Sequence, residues 1–337
     1  MSLSGYKSAD IKNKATDLNR NGIVRIELPL PYNPGFINIY VLTGRQPVLI
    51  DTGLEESIPL NKIKEALSLQ GVRLDEIEHV FLTHGHADHA GAAAFLARNY
   101  GTTIWVHALE KPRLDGRHAH FVTNLVPELF KRLGVDQEAL ENAAETMHSF
   151  AETYLRMRLN GFQTFSHGQK LPVKGYDLHV IHTPGHSPGS VCFFEKTQKL
   201  LFTGDTLLSH GTPQPTLGLD RHGGPYFDGF TDLKKSIASL RTIETDLVLP
   251  GHGSMVGLAN LVSKANAALE RKRTLLLKKF TTDFTPYDLI RRRDKRTKSA
   301  YLLIDLYLTR AILEALLEEG KVTMDAQDGV EHFFPVR

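Results

Sequence analysis

Apolar and polar positions divide the chain into a stretch of short, Gly- and Pro-bounded apolar runs and a stretch of longer helical periods. Runs rich in Val, Ile and Leu at 22–28, 37–43 and 47–50 predict three successive strands. Over 57–69 the apolar residues Ile58, Leu60, Ile63, Ala66 and Leu67 recur at helical spacing, and Gly71 ends the pattern before a strand at 79–83. An Ala-rich helix at 87–100 and a strand at 103–106 follow, after which 108–161 reads as wholly helical and more polar, an insertion. Strand character returns at 178–181, 191–194 and 200–202. A loop at 209–229, too long for a mere connection, leads to a helix at 231–242, a strand at 247–249 and a long helix at 258–280. The rest reads as helix, basic turn, helix and a hairpin turned by Asp328-Gly329, an order that fits a winged helix. The expected organisation is an arm over 1–21, a main unit over 22–280 carrying the insertion 108–161, and a winged-helix-like unit over 281–337.

Composition narrows the class. The chain has 337 residues, 41% hydrophobic and 23% charged, which suits one large core with an appendage and excludes wholesale disorder. With 40 basic against 38 acidic residues the net charge is +2, so attraction to nucleic acid or a membrane rests on local patches. Cys192 is the single cysteine, which forbids an internal disulfide and a thiolate cage for a metal. No window approaches the roughly 18 apolar residues of a membrane span, and the N-terminus lacks a signal-peptide core; a cytoplasmic protein is expected. Histidine is the outlier, with 16 copies, several beside Asp and Gly in short loops.

The strand at 79–83 runs into THGHADHAG, which places His84, His86, Asp88 and His89 within six positions. His84 and His86 share a face because alternate residues of an extended segment do, while Asp88 and His89 fall at a helix start. Imidazole and carboxylate donors suit zinc, manganese and iron, and the lack of thiolates favours an open, catalytic site over a closed structural one. Three further candidates follow apolar strands in Gly-rich turns: His186 in HTPGHSPGS, Asp205 in FTGDT and His252 in LPGHG.

The succession HGHADH, PGHSPGS, TGD and PGHG resembles the metallo-β-lactamase-fold hydrolase superfamily, in its binuclear branch with the glyoxalase II enzymes, lactonases and endoribonucleases; LIDTG at 49–53 is similar to that superfamily's aspartate motif. The resemblance implies an αββα sandwich with two divalent ions, zinc first and manganese or iron as alternatives. One ion would be held by His84, His86 and His186, the other by Asp88, His89 and His252, with Asp205 bridging. Ions about 3.5–4 Å apart would generate hydroxide from a shared water, with no need of a side-chain nucleophile. Asp88 is also the candidate for positioning that hydroxide or moving a proton. Asp51 either accepts from a ligand imidazole and fixes its tautomer, or simply forms a turn before Gly53.

Substrate expectations follow from departures. Penicillin-cleaving relatives use Cys or Ser where this chain has Asp205, which leaves a small ester, thioester or lactone as the expected substrate. The insertion residues Phe121, Leu125, Leu129, Phe130, Met147, Phe150, Tyr154 and Met157 would either cap an acyl pocket or pack the insertion on the sandwich. His118 and His120 lack an acidic partner and read as surface histidines. On the 209–229 loop, His210, His222 and Tyr226 are candidate substrate contacts. Between 271 and 298 basic residues far outnumber acidic ones, which keeps a metal-dependent endoribonuclease or phosphodiesterase as the alternative, disfavoured because no stacking aromatics interleave with the charge. The expected partner is a small-molecule substrate, not a membrane; nucleic acid and a homodimer are the alternatives.

Overall fold

A computed structural model describes residues 22–55, 57–280, 282–291 and 299–336. The expected arm over 1–21 and the basic turn from Arg292 to Lys298 lie outside the described residues.

The first sheet holds β1 (Ile23–Pro29), β2 (Phe36–Leu42), β3 (Val48–Ile50), β4 (His79–Phe81), β5 (Thr103–His107) and β6 (Gln163–Phe165) in sequence order. Its first three strands pair antiparallel and the later ones parallel. Parallel neighbours need crossovers, supplied by α1 (Ser57–Ser68) between β3 and β4 and by α2 (Ala87–Ala90) with α3 (Ala93–Tyr100) between β4 and β5. The second sheet has β7 (Leu178–His182), β8 (Val191–Glu195), β9 (Leu200–Gly204) and β10 (Leu247–Pro250), ordered β10-β9-β8-β7.

Period-two alternation makes two sheets into four layers. In β2, Tyr40 and Leu42 enter the core shared with the second sheet, while Ile37, Ile39 and Val41 face the helical layer. The second sheet sends Phe193, Phe202 and Leu249 inward and Cys192, Leu201 and Val248 outward onto α8 (Gly229–Leu240) and α9 (Leu258–Leu277). Cys192 is therefore core, with burial pushing its thiol up to about 12.

Two expectations about the elements around the first sheet need correction. The helix over 87–100 is broken, because the Ala92 N–H turns to the Gly53 carbonyl at 3.0 Å, and the strand β6 that extends the first sheet was not anticipated.

The insertion comprises α4 (Lys111–Leu114), α5 (Arg117–His120), a π-type turn (Phe121–Leu125), α6 (Val126–Arg132) and α7 (Gln137–Arg156). Phe121, Leu129, Phe130, Met147, Tyr154 and Met157 are buried and belong to the core of the first sheet's helical layer, whereas Leu125 and Phe150 are exposed. His118 is not a surface residue: it is buried against Tyr154, ring centroids 4.4 Å apart, while His120, on the opposite side of the same short helix, is exposed.

Beyond α9, the chain forms α10 (Pro286–Arg291), α11 (Ser299–Glu318) and the hairpin β11 (Val322–Gln327) and β12 (Val330–Pro335). Asp328 and Gly329 both take positive φ, 50° and 81°, as a tight hairpin turn requires. Helix α11 is wedged between layers: Leu303 and Leu306 join the core around the insertion, and Leu308, Ile312, Leu313 and Leu316 join the core outside the second sheet. Buried Glu331 of β12 ties this arrangement, accepting from Arg310 of α11 and Arg132 of α6, both at 2.7 Å. Among the described residues no helix is long and apolar enough to cross a membrane.

Candidate metal centre

Five segments leave the sandwich along one edge. Asp51 follows β3, the His84–His89 segment follows β4, His186 follows β7, Asp205 follows β9 and His252 follows β10. They bring all seven candidate ligands together in overlapping groups whose donor atoms lie within 4.8 Å: His84, His86 and His186; His84, His89 and Asp205; Asp88, His89 and His252. Asp205 stands between the outer groups, with Oδ1 3.3 Å from His89 Nε2 and Oδ2 3.5 Å from His186 Nε2 and 3.6 Å from His252 Nε2. Asp88 Oδ2 lies 3.4 Å from His252 Nε2.

The nitrogen facing away from the centre is tied down on every imidazole. His89 Nδ1 donates to Asp51 Oδ2 at 2.8 Å, His186 Nδ1 to the Gln214 carbonyl at 2.8 Å and His252 Nδ1 to the Phe36 carbonyl at 2.7 Å. The Thr216 hydroxyl donates to the His186 carbonyl at 2.7 Å and so accepts from His86 Nε2 at 3.0 Å. Thr83 works the same way: its hydroxyl donates to Asp51 at 2.8 Å and accepts from His84 Nδ1 at 3.1 Å. These partners turn Nε2 of His84, His89, His186 and His252, and Nδ1 of His86, toward the centre.

Such a donor set fits a cation. His86 Nδ1 sits 2.8 Å from His84 Nε2 and 3.0 Å from His186 Nε2, and with the outer nitrogens protonated these are three lone pairs with no proton to share. Burial holds all three imidazoles below their ordinary range, hence neutral and ready to ligate. Around His89 and His252 burial is the largest influence and works in the same direction, but the neighbouring carboxylates together outweigh it, Asp205 with Asp51 and Asp88 at His89 and Asp205 with Asp88 at His252, and both are raised. This carboxylate-rich half calls for positive charge. Buried His89 Nε2 and Asp205 Oδ1 have no hydrogen-bond partner, as expected of atoms whose partner is a metal. Nitrogen and oxygen donors without thiolate match the zinc, manganese and iron class.

Asp51 is buried with φ 61°, a left-handed conformation that Asp tolerates, and its carboxylate also accepts from the Thr83 backbone N–H at 2.8 Å. Both Asp88 and Asp205 keep a little solvent exposure, 17% and 11% of the side chain, so the centre opens on their side. The loop candidates fare differently. Exposed His210 lies against the Gly253 turn that follows His252; exposed His222 sits at the tip of a turn closed by Asp220, its ring accepting from Arg221; and the buried Tyr226 hydroxyl donates to Asp232 at 2.5 Å. No polar contact joins His222 or Tyr226 to the ligand cluster among the described residues. Sequence reasoning missed Thr216, Gln214 and the Glu110–Arg113 pair, all of which touch the ligand loops.

Comparison with known proteins adds an independent finding. A sequence profile described as "Metallo-beta-lactamase superfamily" matches residues 32–252. The chain is 26% identical over 261 residues to the "Probable metallo-hydrolase YqjP" of Bacillus subtilis, covering 75% of this chain and 78% of that protein. It is 25% identical over 315 residues to an "Atrochrysone carboxyl ACP thioesterase" of Emericella nidulans, covering 89% of this chain and 80% of that one. Among solved structures, the metallo-beta-lactamase family protein TTHA1429 from Thermus thermophilus superposes with a TM-score of 0.75 at 22% identity, covering 94% of this chain and 99% of its own.

Proposed function

The chain belongs to the metallo-beta-lactamase superfamily and is a hydrolase of that class, and from this premise we propose that it cleaves a small ester, thioester or lactone at two divalent ions, zinc by preference. The observation that carries the proposal is the pair of three-residue groups, His84, His86, His186 and Asp88, His89, His252, with Asp205 between them and the buried His89 Nε2 and Asp205 Oδ1 left without a hydrogen-bond partner. Imidazole-rich donor sets suit zinc. Bound ions would acidify a water and polarise the substrate carbonyl.

The protein's own groups then do the rest. Asp51 holds His89 through Nδ1, and the Phe36 and Gln214 carbonyls hold His252 and His186, so that ligand orientation is set before any ion arrives. Asp88, partly open to solvent and 3.4 Å from His252, is the group proposed to move a proton between water and the leaving group. His210, at the rim beside the His252 turn, is proposed as a substrate contact; Tyr226, with its hydroxyl engaged by Asp232, supports the loop. The thioester option gains support from the Emericella nidulans relative, which is named for a thioester of acyl carrier protein.

We also propose the division into a catalytic unit over 22–280 and a winged-helix-like unit over 281–337 that stabilises it. The α11 leucines that pack on both outer layers support that role; a chain ended after Lys279 should be insoluble or unfolded, and a soluble, active truncation would refute it.

The substrate proposal is tested by incubating the zinc- or manganese-loaded full chain with acyl thioesters, lactones, aryl esters, phosphodiesters and single-stranded RNA, with and without chelator. Chelator-sensitive turnover of a carboxylic substrate is expected. Cleavage confined to phosphodiesters or RNA would overturn the choice.

A further inference from the structure

The first turn of the insertion carries a buried ion pair that no ligand motif accounts for. Glu110 and Arg113 have side chains 0% and 2% exposed, and Arg113 Nη1 donates to Glu110 Oε2 at 3.0 Å. The same Oε2 accepts the backbone N–H of Gly85 at 2.9 Å, and Oε1 accepts that of Gly189 at 2.8 Å. Gly85 separates His84 from His86, and Gly189 lies three residues past His186. One carboxylate thus grips both loops that supply the three-histidine group. Arg113 extends the grip through Nη2, which donates at 2.7 Å to the carbonyl of Leu217, next to the Thr216 that holds His86.

The fit of these loops to the pair is tight. A Cβ on Gly85 would come within 2.9 Å of Glu110 Oε2 and 3.0 Å of Arg113 Cβ, and one on Gly189 within 2.7 Å of Glu110 Cγ, so both positions require glycine. Asp88, His89 and His252 have supports of their own, Asp51 just past β3 and the Phe36 carbonyl of β2, which touch neither Glu110 nor Arg113 among the described contacts, although Asp51 also reaches His84 through Thr83.

We propose that Glu110 is a positioning residue that sets the affinity of the His84, His86 and His186 group for its ion and leaves the Asp88, His89 and His252 group unaffected. This rests on the two-ion reading above. A carboxylate can accept from both loops at once because each oxygen takes one backbone N–H; a carboxamide has a single acceptor oxygen and must release one loop. Glu110→Gln is therefore the informative change, close in shape and lacking one acceptor.

Metal-free full-length protein would be titrated with zinc against a chromophoric chelator, and imidazole nitrogen NMR would identify which histidines become ligated. Wild type should take up two ions per chain. Glu110→Gln should retain one at wild-type affinity, within about two-fold, and bind the other about 10–100-fold more weakly, the range seen when a group that orients a metal ligand is lost. The resonances that fail to shift should be those of His84, His86 and His186. Should the single variant not fold, Glu110→Gln with Arg113→Met removes the buried charge as a pair, a change better tolerated than leaving one partner alone, and the same selective loss is expected. Equal weakening of both ions, or two ions bound as in wild type, would overturn the proposal. A wild-type protein that takes up fewer than two ions would overturn the two-ion reading itself.

Discussion

The two halves of the metal centre are held by different parts of the molecule. Asp88, His89 and His252 lean on the sandwich: Asp51 leaves β3, the Phe36 carbonyl opens β2, and Asn38 and Tyr40 of β2 bond to the Pro250 and Gly253 carbonyls around His252, at 2.8–2.9 Å. His86 and His186 lean instead on what is added to the sandwich, namely Gln214 and Thr216 of the long loop after β9, and their loops on Glu110 and Arg113 of the insertion, while His84 keeps a tie to the sandwich through Thr83 and Asp51. A hydrogen-bonded sheet edge is among the most rigid parts of a fold, whereas loops and short helices are adjustable. One ion site is thus fixed by the common scaffold and the other largely by the segments that also shape access to the centre.

The largest expected effect comes from the residue both halves share. Asp205→Ala should lower turnover about a hundred- to a thousand-fold, in the range of losing a preorganised group at a reacting centre, with the fold retained by circular dichroism. Retention of a tenth of the activity would show that the halves do not depend on it. Next is Arg113→Ala, which strands a buried Glu110 carboxylate and should cost about 3–5 kcal/mol of stability in urea melts. A cost below about 1 kcal/mol would mean the insertion's grip on the first half is dispensable.

Asp51→Asn sharpens the comparison from the other side. It keeps the shape but weakens the acceptor for His89 Nδ1 and should cost about 10–100-fold in affinity for the ion of the Asp88, His89 and His252 group, with a smaller cost at the other ion because Asp51 reaches His84 only through Thr83. Competition with a chelator measures it, and an effect on the first half instead would break the assignment of supports.

The smallest effect concerns pH. His107 opens the turn that contains Glu110 and stacks on His182, centroids 4.1 Å apart; burial, then the neighbouring His182, push it down to about 4. Its ordinary value is near 6.5, so above that pH neither folded nor unfolded chain protonates it and it has no influence. As pH falls below about 6.5 the unfolded chain takes a proton that the folded chain refuses until about 4, and stability is lost across that window. Urea melts at pH 7 and 4.5 should show a smaller loss for His107→Gln than for wild type. Identical losses would remove His107 from the account.

The same division governed what could be read in advance. Strands showed because each is a short apolar run closed by Gly or Pro, and the seven clustered side chains showed because each follows such a strand in a turn rich in glycine. Asp51 was visible for the same reason. Strand β6, Gln163–Phe165, carries only one buried side chain, Phe165, and offers no run to detect. His118 was misplaced because its burial depends on α7 closing over it from elsewhere in the chain. Carbonyl partners such as Phe36 and Gln214 have no side-chain signal at all. Glu110 and Arg113 offered only a spacing of three in a helical turn, and the exposed Glu128–Lys131 pair has the same spacing. What separates the two pairs is tertiary burial.

The most direct test of the two-ion centre is anomalous diffraction at the zinc edge from crystals of the zinc-loaded full chain. Two peaks are predicted, one among His84, His86 and His186 and one among Asp88, His89 and His252, with Asp205 between them. A single peak, or a second one outside these two groups, would contradict the account.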